Sequence, residues 1–150
     1  MKYLTIIIAL LMTLASPVAA QDFAKAYAAY KAEDYATAFK EWTSLAEQGN
    51  ADAQYYLGMV YYDGQGVPQD YTMAHMWYNI AAANGAILGG VVRDNVAEKM
   101  TAAAVAKAQA MAGKCMSSGY TKCGYWEISM TIQPKYFTAD TYDYARYAEW

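Results

Sequence analysis

Ala51-Asp52-Ala53-Gln54-Tyr55-Tyr56-Leu57-Gly58-Met59-Val60-Tyr61-Tyr62 is followed by Asp63-Gly64-Gln65-Gly66-Val67-Pro68-Gln69, and then by Asp70-Tyr71-Thr72-Met73-Ala74-His75-Met76-Trp77-Tyr78-Asn79-Ile80-Ala81-Ala82-Ala83-Asn84-Gly85. The first segment reads as a helix from Ala51 to Tyr62, and in the third Tyr71, Ala74, Trp77 and Ala81 recur at the three-to-four spacing of a helix face. Asp70 is placed to cap that second helix, and Gly85 to end it. Between them Gly64 and Gly66 can take positive φ, while Pro68 prevents the first helix from running on. A pair of antiparallel helices is the expected unit.

The unit recurs. Asp34-Tyr35, Ala38, Ala46 and Gly49 reappear, thirty-six positions later and without a gap, as Asp70-Tyr71, Ala74, Ala82 and Gly85. The earlier copy pairs a helix over Asp22–Ala32 with one over Tyr35–Ala46, capped by Asp34 and carrying Tyr35, Ala38, Phe39, Trp42, Leu45 and Ala46 on one face. Beyond the central copy, Ala86–Lys99 and Ala102–Lys114, the latter behind Thr101 as N-cap, read as a degenerate third pair. Helix pairs repeating at this period stack into an α/α solenoid, so the fold class is all-α with about three antiparallel hairpins.

The Leu57-Gly58 pair, the Gly64-Gln65-Gly66-Val67 loop and the Ala81-Ala82-Ala83-Asn84-Gly85 ending together resemble one complete Sel-one-like repeat, a longer-looped relative of the tetratricopeptide repeat. Residues 22–50 resemble a tetratricopeptide-like repeat with a short Glu33-Asp34 turn, and residues 86–114 resemble a loose third copy. The resemblance implies a non-catalytic adaptor or scaffold that binds protein or peptide, with no cofactor. In such repeats the first helix of each pair lines a curved inner surface. By similarity to the tetratricopeptide pattern Tyr55, Met59 and Tyr62 would face that groove, and Phe23, Tyr27 and Tyr30 would do so in the first repeat, unless these aromatics are ordinary core. The other stripe of the central helix, Tyr56, Leu57, Val60 and Tyr61, would then be buried, and Gly58 would let the paired helix approach near Ala74.

The flanking segments set the expected address. Lys2, the apolar run Leu4–Leu14 and the small-residue ending Ala15-Ser16-Pro17-Val18-Ala19-Ala20 have the form of a secretory signal at residues 1–20, too short an apolar run to anchor stably in a membrane. An exported, periplasmic or secreted bacterial protein is expected. In an oxidising space Cys115 and Cys123, the two cysteines of the chain, are expected to form a disulfide; a zinc site would need further ligands. The domain plan is therefore a signal at 1–20, helical repeats at 21–114, and at 115–150 a disulfide turn with an aromatic extension. In that extension Tyr125–Ile132 alternates like a strand, and a short helix with Tyr144, Tyr147 and Trp150 follows.

Composition narrows the partner. With 11 Lys and Arg against 14 Asp and Glu, a net charge of -3, the chain lacks the clustered positive charge that a nucleic-acid backbone requires. Its 16 tyrosines and four tryptophans exceed what a core of this size needs. Aromatic faces also stack on sugars, which keeps carbohydrate or peptidoglycan binding as the alternative and a cell-wall hydrolase as a weaker third. The oligomeric state stays open. Catalytic and metal motifs were sought: there is no Gly-x-Ser-x-Gly, no His-Glu-x-x-His, no phosphate loop and no Ser-x-x-Lys. His75, the single histidine, has no partner in sequence and is expected at the surface or partly buried.

Overall fold

The computed structural model describes residues 17–123, and within them every regular element is a helix: α1 (Pro17–Lys31), α2 (Tyr35–Glu47), α3 (Ala51–Asp63), α4 (Tyr71–Ala83), α5 (Gly89–Ala97) and α6 (Ala102–Ser117). Helices α1, α2, α3 and α4 pack each on the next in chain order, as stacked hairpins should. The third pair is looser, because α5 and α6 each pack on α4 rather than on one another. The expected strand over 125–132 and the C-terminal helix lie outside the described residues.

Helix starts follow the sequence closely because polar side chains satisfy the free N–H groups there. Asp34 accepts from the Thr37 amide at 3.2 Å, Asp70 from those of Thr72 and Met73 at 2.8 and 3.1 Å, and Thr101 from that of Ala104 at 3.2 Å. Asn50 does the same for α3, accepting from Ala53 N at 2.9 Å. Other boundaries differ from expectation. Helix α1 begins at Pro17 rather than Asp22, since proline fits the first turn and the alanines after it favour helix. Helix α5 starts only at Gly89: after Gly85, at φ 99°, the Ala86 amide bonds back to Ala81 O at 2.9 Å, and residues 86–88 form a turn. Helix α6 continues past Lys114 to Ser117, which places Cys115 on the helix.

Core and loop confirm the central unit. Trp42, Leu57, Val60, Tyr61, Met76, Trp77 and Ile80 are fully buried, and Phe39 lies edge-on to Tyr61 with ring centroids 5.8 Å apart. Helix α4 is buried almost all round, from Met73 to Tyr78 and again at Ile80 and Ala81, because α3, α5 and α6 all pack against it. Gly58 is a close-approach residue, but its neighbour is not Ala74: a Cβ at this position would lie 2.6 and 2.7 Å from Cδ1 and Cε1 of the Tyr78 ring. An aromatic ring one turn further along α4 fills the gap that the missing side chain leaves.

The glycine loop docks onto the first hairpin. Gly64 ends α3 in the left-handed conformation, and Gly66, at φ 78°, passes so close to Tyr35 that a Cβ would be 2.6 Å from its Cβ. Between the two glycines Gln65 accepts from the Tyr30 hydroxyl at 2.5 Å and donates to the Tyr35 oxygen at 3.5 Å, while Val67 is buried. The loop thus fastens one repeat to the preceding one.

A polar chain fastens the other edge. Gln54 on α3, fully buried, donates to Ala46 O at 3.0 Å and accepts from Asn84 Nδ2 at 2.8 Å. Asn84 Oδ1 in turn accepts from the Tyr120 hydroxyl at 3.0 Å. The ends of α2, α4 and α6 are joined by this relay, and each buried polar atom in it has a partner. Cys115 and Cys123 are disulfide-bonded and buried, so the covalent turn holds Tyr120 at the relay's end.

His75 is more deeply buried than the surface or partly buried position expected for it. Only 1% exposed, it has its Nδ1 buried without a hydrogen-bond partner among the described residues, on a helix against which α3, α5 and α6 all pack. Burial, and then the Arg93 charge, push its pKa below the ordinary 6.5, with Asp94 opposing. A depressed imidazole pKa means that the unfolded chain takes up the proton first. Stability from this group is therefore fully present above about pH 6.5, the unfolded value, and declines as pH falls below it. Melting temperatures from pH 7.5 to 5 should fall more steeply for the parent than for His75→Gln; parallel curves would show that His75 does not couple folding to pH.

Candidate functional site

The five aromatic residues expected on the inner surface separate into three groups by their ring contacts, and the sixth, Met59, is half-buried against the core. Phe23 and Tyr27, one turn apart on α1, both lie edge-on to Tyr56 of α3, with ring centroids at 5.5 and 5.9 Å. Tyr55 meets the same ring at 5.7 Å and also leans on Tyr78 at 5.4 Å. Tyr56 itself stacks on buried Trp42 at 4.7 Å with an interplanar angle of 22°. Around that one ring the structure gathers Phe23, Tyr27 and Tyr55.

Tyr30 belongs elsewhere. Its ring packs against Tyr35 and Trp42, each at 5.5 Å, and its hydroxyl is committed to Gln65. Burial and the nearby Asp63 charge hold its phenol pKa above the ordinary value. Tyr30 is thus a seam residue that anchors the loop. Tyr62 forms the third group: it lies 5.5 Å from Tyr71, and the Lys99 ammonium sits 5.2 Å over the Tyr62 ring and 5.8 Å over that of Tyr71. The hydrogen bond with Tyr62 is the first cause of a raised Lys99 pKa, and the ring faces attract the ammonium.

Three of the four residues expected in the buried stripe of α3 are buried. Leu57, Val60 and Tyr61 are buried; Tyr55, Met59 and Tyr62 are half-buried, with Asp52 exposed at the start of the same row. Tyr56 is the residue that the two-stripe reading placed on the wrong side of the line. Periodicity put it with the core, but a tyrosine between two stripes turns one ring face to Trp42 and leaves the rest to Phe23, Tyr27 and Tyr55. Tyr27 is the most open of the group, 41% exposed.

A second apolar surface was not legible beforehand. Ile87 is 95% exposed, with Leu88 and Val91 also exposed, where the 86–88 turn enters α5. Gly89 holds this turn against α4, where a Cβ would be 2.7 Å from Ala82 N. An Ile-Leu pair inside a supposed helix gives no sign that a turn will push it outward.

Among the described residues no group of three or more His, Cys, Asp or Glu is placed to hold a metal ion, and no helix is long and apolar enough to cross a membrane. The surface can offer ring faces, edges and a carboxylate to a ligand, which is recognition chemistry. Residues 51–85 match the family model of the Sel1 repeat. No solved structure matches the chain significantly.

Proposed function

With a Sel1 repeat at its centre the chain is a Sel1-like helical repeat protein, and from this premise we propose that it is a non-catalytic adaptor which binds a protein or peptide on the face formed by α1 and α3. Sel1 repeats generally mediate protein–protein interaction, and the family is typically non-catalytic. One observation carries the reading for this chain: a half-buried apolar row, Tyr55, Met59 and Tyr62, runs along α3, and the open ring of Tyr27 on α1 meets the same helix at Tyr56. Apolar surface of this kind on the first helices of stacked hairpins is what an extended segment needs for contact.

The proposed place of action is the bacterial cell envelope. Its support is the Lys2, Leu4–Leu14 and Ala15–Ala20 pattern. Cleavage after Ala20 would shorten α1 by its first four residues and leave Phe23, Tyr27 and Tyr30 to pack as described.

Site-specific photo-crosslinking tests the binding face. A photoreactive residue at 27, 55 or 59 should yield one and the same crosslinked polypeptide from envelope extract, whereas one at exposed Lys40 on α2 should yield none. Equal yields from Lys40 would refute the assignment of the face. Loss of the crosslink on addition of soluble peptidoglycan fragments would transfer the reading to glycan binding.

A further inference from the structure

Tyr27 and Tyr55 flank Tyr56 at 5.9 and 5.7 Å, and both rings stand nearly perpendicular to it, at 74° and 82°. The exposed Asp52 lies one helical turn before Tyr55 and Tyr56 on α3. Asp52, three and four positions before Tyr55 and Tyr56 on α3, shares their side of the helix, so its carboxylate and the three rings share one neighbourhood. Elsewhere on the same protein a tyrosine pair of similar spacing, Tyr62 and Tyr71, holds the Lys99 ammonium over its faces. The molecule therefore contains one aromatic pair occupied by a cation, and a separate set of rings with a carboxylate one turn away on α3.

We propose that Tyr27, Tyr55 and Tyr56 with Asp52 form a binding seat for a cationic side chain, lysine or arginine, of a peptide ligand. The proposal rests on the peptide-binding reading above and adds the chemical class of the ligand. Ring quadrupoles attract a cation at their faces, and an exposed carboxylate adds Coulomb attraction that salt weakens. Rings set at steep angles to one another enclose a compact ammonium or guanidinium; a sugar ring prefers a flat, open platform. The acidic balance of the chain, with a net charge of -3, favours the same partner.

The test uses the full chain and short synthetic peptides in which alanine alternates with lysine, with Nε-acetyllysine or with glutamate. Binding is followed by NMR through the amide signals of Tyr27, Asp52 and Tyr55. The lysine peptide should shift these signals saturably and bind more weakly as salt rises, and the acetylated and glutamate peptides should bind at least several-fold more weakly. Tyr27→Ala and Asp52→Asn should each weaken binding roughly two- to fivefold, what one exposed cation–ring or charge contact contributes, while Tyr27→Phe keeps the ring and the affinity. Asp52 is exposed, so the thermal melt of Asp52→Asn should match the parent, while Tyr27→Ala also loses its edge contact with Tyr56 and is read against Tyr27→Phe, which keeps it. Equal binding of the three peptides, shifts confined to Tyr62, Tyr71 and Lys99, or tighter binding of a soluble glycan at the same signals would each overturn the proposal. If any of these occurs while crosslinks from positions 27, 55 and 59 persist, the cationic ligand is wrong and the peptide-binding face stands. If the crosslinks fail as well, both readings fall.

Discussion

Replacing Trp77 with alanine should cost about 3–5 kcal/mol of folding stability, the range found when a large buried aromatic is deleted and its cavity cannot collapse. Trp77 has no exposed surface and sits on α4, the helix against which α3, α5 and α6 all pack. With neighbours on every side, no single element can move into the space without losing contact elsewhere. His75 provides the comparison on the same helix. Because it is buried, His75→Ala will not behave as a surface change. It should still cost less than Trp77→Ala, since the void is smaller and an unpartnered Nδ1 is removed with the ring. Urea melts of the two variants measure the difference; a larger loss for His75→Ala would mean that the packing of α4 has been read the wrong way round.

What could be read from the sequence was whatever local pattern determines. The Asp34, Asp70 and Thr101 caps, the positive φ of Gly64 and Gly66, and the division of α3 into a buried and a half-buried stripe all depend on residues within a turn or two. Misreadings arise where a distant element decides. His75 is buried on a helix against which α3, α5 and α6 all pack, and Gly58 faces Tyr78 because of how α4 rotates about its axis. Tyr30, open between groove and core in the sequence, finds its hydrogen-bond partner in Gln65, far along the chain. The same limit applied to the site. Tyr55, Met59 and Tyr62 could be named from spacing along α3, but the convergence of Phe23, Tyr27 and Tyr55 on Tyr56 is a contact between two helices, and no single-helix pattern contains it.

Removing the Cys115–Cys123 bridge should cost roughly 2–3 kcal/mol, the chain-entropy value for so short a closed loop. The effect should be local in origin and wider in consequence. Between the two cysteines, Tyr120 holds a left-handed backbone at φ 66°, a conformation that non-glycine residues adopt at some cost and keep only when their surroundings enforce it. Its surroundings are the disulfide, the Tyr120 amide bonded to Cys115 O at 2.9 Å, and the hydroxyl bonded to Asn84. Its ring also covers Gly49, where a Cβ would be 3.3 Å from Cε2. Without the bridge, the backbone at Tyr120 is freer to relax, and the relay from Tyr120 through Asn84 and Gln54 to Ala46 loses its outer member. The oxidised parent and the Cys115→Ser/Cys123→Ser variant should therefore differ in melting temperature, and in the variant amide exchange should speed up at Asn84 and Gly85 as well as around residue 120. Tyr120→Phe, which keeps the disulfide and removes only the hydroxyl, should reproduce the faster exchange at Asn84 with a smaller loss of stability, about 1 kcal/mol for one hydrogen bond. If exchange at Asn84 is unchanged in both variants, the disulfide stabilises its own turn and the relay does not depend on it.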